Sequence, residues 1–234
     1  MKKTTLKSVD DIHKFLERFR KASQFKFRGQ SDENWELIPK AGRSEYKNIE
    51  DKQIFEHWKR RALSHLDKNY NEWELLSIAQ HTGLPTRLLD WTHVPLIALF
   101  FAVSENYDKD GALYVYKPYY RVLHNDFEPF GSFDICIFQP NASSNRIANQ
   151  YAYFTVHSNP EMPLNEKTQE GYIEKLVIPA NLKKDMIHLL NQYGVNFLSL
   201  FPDLEGLSRH LSWFAENSKY WDNTFDEEEI TESE

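Results

Sequence analysis

Cysteine is almost missing from this chain: one residue, Cys136, in 234. An internal disulfide is therefore excluded. Cys136 lies in the apolar run Asp134-Ile135-Cys136-Ile137-Phe138, where a buried, inert thiol is expected. The paired Cys/His spacing of structural zinc is lacking too, and no metal is expected. There is no P-loop, no GxGxxG, no HExxH and no GxSxG, which removes the familiar enzyme signatures without removing enzymes as a class. No apolar run reaches the roughly 20 residues of a membrane span; the longest, Val94 to Val103, reads as a core helix. The N-terminal MKKTTLKSVDDIHKFLERF has basic residues but no apolar stretch behind them, so it does not read as a signal peptide. These absences lead us to expect a soluble cytoplasmic protein with no membrane partner.

Hydrophobic residues make up 41% of the chain and aromatic residues 15%, enough for one substantial core. The formal charge of -7 is unevenly placed. The last stretch, DNTFDEEEITESE from Asp222, holds seven acids and no Lys or Arg; with those set aside, the remaining acidic residues equal the 28 basic ones. We therefore expect one globular domain over residues 1–221 and a disordered acidic tail over 222–234. A neutral body lacks the basic face of a nonspecific nucleic-acid binder.

Ser8 and Asp11 resemble a capping box, and Ile12, Phe15, Leu16 and Phe19 follow at helical spacing, predicting a first helix of about four turns. Phe25 to Gly29 alternates like a short strand, and Trp35, Leu37 and Ile38 predict a second extended piece stopped by Pro39. Asn48 and Asp51 open a helix with Phe55, Trp58, Ala62 and Leu66 inward and Lys59, Arg60 and Arg61 largely outward. Asn71 and Glu74 cap a third that stops near His81, with Gly83 placed to end it and Pro85 barring continuation. A helix is expected from about Pro95 to Glu105. The second half reads as strands (Ala112 to Tyr116, Ile135 to Phe138, Ala152 to Val156, Tyr172 to Ile178), a helix from Ala180 to Tyr193, an extended Phe197 to Phe201, and a helix from Leu204 to Phe214. The fold class is α+β: N-terminal helices packed on a mixed, mainly antiparallel sheet.

The stretch Leu75 to Val103 is the most informative. Two apolar runs flank a polar insert that carries Gln80, His81, Thr86, Arg87, Asp90, Trp91, Thr92 and His93. Buried polar groups need partners, so these either satisfy one another or line a pocket. If Thr86 to Trp91 is helical, Arg87 meets Asp90, and the pair is a structural network or, with His81, part of a cleft. Arg28, at a strand end before Gly29, either grips an anion or pairs with a surface acid. Gln150 follows a polar segment and either bonds backbone or faces a ring. Asp203 is an N-cap and Glu205 a first-turn acid; either is also a candidate carboxylate for catalysis.

Phe27-Arg28-Gly29-Gln30, then Trp35 and Leu37-Ile38-Pro39, then Ala79 through Thr92, resemble the FRG domain, a Phe-Arg-Gly motif family of bacteria and phages. Phe201-Pro202-Asp203-Leu204-Glu205-Gly206-Leu207 resembles that family's closing motif. The Gln150 segment departs from it, with Ala152 where the family pattern has Gly. Arg28, His81, Arg87 and Asp90 all fall on motif positions, which implies a shared site. By analogy with the layout of ADP-ribosyltransferases, the expected function is a nucleotide pocket for NAD. Arg28 and Arg87 would neutralise pyrophosphate, and Gln80, Asp90, Trp91 and Gln150 would contribute binding. His81, Asp203 and Glu205 would serve catalysis. The alternative is a noncatalytic module for nucleic acid or a protein partner, with Lys59, Arg60 and Arg61 as a local contact.

Overall fold

The structure is a computed structural model that describes residues 1–46, 48–66, 69–118, 128–132, 134–141, 148–165 and 171–217; the expected tail over 222–234 lies outside them. The chain runs β1 (Lys2–Thr5), α1 (Asp11–Glu17), β2 (Lys26–Gln30), α2 (Asp51–Ala62), α3 (Glu72–His81), β3 (Leu88–Thr92), α4 (Pro95–Val103), β4 (Gly111–Pro118), β5 (Cys136–Phe138), β6 (Ala152–Val156), β7 (Gly171–Ile178), α5 (Ala180–Gln192), α6 (Phe197–Leu200) and α7 (Leu204–Asn217). The seven strands form one open sheet in the order β1-β7-β4-β2-β3-β6-β5. Among the described residues only β1 against β7 is parallel; the other pairings are antiparallel. The α+β class with a mixed, mainly antiparallel sheet is what the sequence predicts.

Local chemistry explains the helix limits. Asn71 and Glu74 form a reciprocal capping box at the start of α3, satisfying two orphan donors. Gly83, at φ +95, ends it in the left-handed region that favours glycine. Other expectations are corrected. The first helix spans seven residues, not four turns. Leu88 to Thr92, left open between a helical turn and other structure in the sequence, is a strand whose Leu88, Leu89 and Trp91 are buried. Residues 197–200, expected as extended, are helical, because Asn196 and Ser199 form a second capping box. No strand forms over residues 31–39. β1 was not foreseen.

Two helical groups sit on the same face of the sheet. Phe27 pairs with Val115 on β4 and with Thr92 on β3, and paired residues share a face. On that face Phe27, Leu113, Val115, Leu176 and Ile178 pack with α1, α4, α5, α6 and α7. Leu88, four residues from Thr92 and so on the same side, joins Phe154, Val156 and Phe138 in packing with α2 and α3. The opposite face carries a third cluster, built around Leu89, Trp91, Tyr114 and Tyr116. Between the two helical groups the sheet is stitched thinly: β2 and β3 pair only at Phe27 and Thr92.

Gly29 belongs to this arrangement. A Cβ there would lie 1.8 Å from the Ala98 carbonyl oxygen and 2.6 Å from the Ala102 nitrogen. The glycine thus lets β2 press directly against the α4 backbone.

Candidate functional site: a cleft at the β2–β3 opening

Where β2 and β3 part, a cavity of about 340 Å³ opens, within the range of small-molecule pockets. Its lining comes from β2 (Arg28, Gln30), α3 (Gln80, His81), β3 (Asp90, Trp91), α4 (Ile97, Phe101), the loop after β2 (Trp35, Arg43), and from Gln150 and Phe201 later in the chain.

Arg28 crosses the opening. Its Nη1 donates to the Asp90 carbonyl at 2.7 Å and lies 3.5 Å from Asp90 Oδ2. The bond replaces a rung that the parted ladder lacks. Gln80 completes the set: the Thr86 hydroxyl donates to Gln80 Oε1 at 2.5 Å, which turns its amide nitrogen to donate to Asp90 Oδ2 at 3.0 Å. Asp90 is thereby oriented on one oxygen. Its side chain keeps 49% of its exposure against 12% for Arg28, and Oδ1 has no partner among the described residues. Burial lowers the Arg28 pKa and the Asp90 charge opposes that effect, while a neighbouring Arg43 charge adds to the lowering; arginine nonetheless stays cationic near neutral pH. Arg43 is exposed on the cavity wall and has no side-chain partner among the described residues. Ile97, Phe101 and Phe201 give the cavity an apolar side.

Beneath Trp91 runs a buried polar chain of fixed direction. The Met162 carbonyl can only accept, so His157 Nδ1 carries the proton and donates to it at 3.0 Å. His157 Nε2 then accepts from Thr155 Oγ1 at 3.1 Å, and that hydroxyl accepts from Trp91 Nε1 at 3.1 Å. Burial pushes the His157 pKa down to about 4, keeping the ring neutral.

The structure brings Arg28, Gln80, His81, Asp90, Trp91 and Gln150 to one cavity. It does not bring Arg87 there. Arg87 is buried and makes a two-point bond with Asp51, Nε to Oδ2 and Nη2 to Oδ1, both at 2.8 Å, with Phe130 over its guanidinium at 4.5 Å. The Arg87–Asp90 pair that a helical turn would allow does not form, because the chain from Leu88 is an extended strand and Arg87, just before it, is bonded to Asp51. Asp203 Oδ1 accepts from the Gly206 amide at 2.8 Å, the expected N-cap, and Glu205 sits in the first turn of α7; neither lines the cavity. The Gln150 amide donates to the Leu200 carbonyl at 3.2 Å. On α2, Lys59 is held by Glu56 and Glu72 at 2.8 and 2.9 Å. Sequence reasoning missed Arg43, an exposed loop residue with no periodicity or motif to mark it.

The fold and site define an α+β protein with a polar and aromatic cleft at a parting in its sheet. Residues 23–111 match the family model of the FRG domain. That span runs from just before β2 through α4 and holds the whole cavity lining except Gln150, Ala152 and Phe201. No curated protein and no solved structure matches the chain. Among the described residues, no helix is long and apolar enough to cross a membrane.

Proposed function

We propose that the cleft binds a phosphorylated nucleotide, with NAD as the leading member of the class. The observation that carries this reading is Arg43, a guanidinium with no side-chain partner among the described residues, beside the partly satisfied Arg28 on a cavity whose other side is apolar. Two adjacent cations favour an anion between them, and planar guanidinium forks suit phosphate. Phe101, Phe201 and Ile97 offer a surface for a flat ring. Arg43 takes the role that the sequence suggested for Arg87.

The reaction we attach to this binding is ADP-ribosyl transfer. The bond from ribose C1′ to nicotinamide breaks, and its electron pair leaves with neutral nicotinamide. Water or an acceptor hydroxyl adds at C1′ and releases its proton to solvent. The cation-like state at C1′ requires a nearby fixed negative charge. Asp90, oriented through Oδ2 and open at Oδ1, supplies it in place of Asp203 or Glu205.

Thermal unfolding with NAD, ADP-ribose, ATP or phosphate tests the binding. A nucleotide at a hundredfold excess over its Kd raises the melting temperature by about 5–10 °C. Arg43→Ala weakens that nucleotide by tenfold or more. No shift with any nucleotide at millimolar concentration overturns the reading. Nicotinamide release from NAD, lost in Asp90→Asn, tests the reaction separately.

A further inference from the structure

Two buried polar atoms on β2 have no hydrogen-bond partner among the described residues, and both belong to residues that line the cleft: Arg28 Nε and Gln30 Oε1. Gln30 is 4% exposed. Its amide orientation follows from chemistry. The Glu36 carbonyl, 3.2 Å away, can only accept, so the Gln30 nitrogen must face it and the oxygen is left open. Arg28 is similarly constrained, with Nη1 spent on Asp90. Residues 28 and 30 are alternate positions of one strand, so their side chains leave the same side of β2 and neighbour each other along it.

On one side of β2 an acceptor and a donor are thus left without protein partners among the described residues, both withdrawn from bulk water, on two residues that line the cleft. Buried polar groups are nearly always satisfied, which makes a ligand in the cleft their candidate partner. The matching group is a donor beside an acceptor on a planar edge.

We propose that Gln30 Oε1 and Arg28 Nε–H read an amino-bearing ring edge of the bound nucleotide, with an N–H donated to Gln30 and a lone pair taken from Arg28. This rests on the nucleotide reading given above and adds the specificity of the site. Both rings of NAD have this chemistry: the 6-amino edge of adenine and the carboxamide of nicotinamide. Gln30 is then a specificity residue that discriminates ligands by their amino group, because a buried acceptor facing another acceptor rejects it strongly.

Calorimetric titration of the full chain with two ligand pairs tests this. ADP against IDP replaces the adenine amino group by oxygen. NAD against its deamidated counterpart replaces the carboxamide by carboxylate. We expect the amino-bearing member of one pair to bind at least tenfold more tightly, and that pair identifies the ring. In Gln30→Met the preference falls below threefold while the weaker member keeps its affinity. Equal affinities within both pairs, with measurable nucleotide binding, overturn the proposal. Binding by no nucleotide overturns the reading beneath it and this one with it. The ligand comparison on the unaltered protein decides the matter even if Gln30→Met fails to fold.

Discussion

Arg87 and Arg28 lie on neighbouring strands or their flanks and both meet an aspartate, yet they do opposite work. Arg87 is closed: two bonds to the Asp51 carboxylate and an aromatic ring over its plane leave little for a ligand. Arg28 is open: one bond to a backbone carbonyl, a longer approach to Asp90, and a buried Nε without a partner among the described residues. The first ties the end of the α3–β3 connection to the start of α2. The second bridges a parted ladder beside a cavity. Residue type therefore says little about role; what decides is how completely the partner spends the guanidinium.

The sharpest way to break this contrast is to remove one partner of the closed pair. Arg87→Ala leaves Asp51 buried and uncompensated, and should cost about 3–5 kcal/mol in denaturant unfolding. A loss under about 1 kcal/mol would mean that Arg87 is not the structural arginine of the two.

Acid probes the floor between them next. Above pH 6.5 His157 is neutral in both folded and unfolded chains. As pH falls below 6.5 the unfolded chain binds a proton that the folded chain refuses until about pH 4. Stability is therefore lost on acidification across that window, by about 3 kcal/mol in all. Unfolding curves for the unaltered protein and His157→Gln, taken at pH 7 and pH 4.5, should diverge in their pH dependence. Parallel behaviour would show that the imidazole titrates normally.

Gly29→Ala attacks the wall that both regions share. The added Cβ meets α4 backbone, which must retreat, at a cost of about 1–3 kcal/mol; an unchanged midpoint in urea would disprove the close packing. The smallest expected effect on stability is that of Arg43→Ala. An exposed side chain with no side-chain partner among the described residues should change stability by no more than about 0.5 kcal/mol, which makes any loss of nucleotide binding a clean readout.

The sequence displays local chemistry well and distant pairing poorly. The α3 limits could be read from Asn71, Glu74 and Gly83 because each acts within a few residues. β1 could not, since Lys2 to Thr5 is exposed and pairs with a strand more than 160 residues away. The short α6 is held by one capping box and is shorter than the pattern that would reveal it. In the cleft, Arg28, Gln80, His81 and Asp90 stood out because they are polar groups in or beside apolar stretches. Arg87 stood out for the same reason, and the signal could not tell a sealed ion pair from an open site because Asp51 is 36 residues away. Arg43 gave no signal at all.

The single rung between Phe27 and Thr92 has a mechanical meaning. Elsewhere the ladders run through several residues within β1-β7-β4-β2 and within β3-β6-β5. Across the seam that joins these two plates, α4 packs on both sides and the Arg28 guanidinium is a rivet from β2 to the β3 backbone. A ligand in the cleft would sit on that seam and add cross-links where the backbone supplies a single rung.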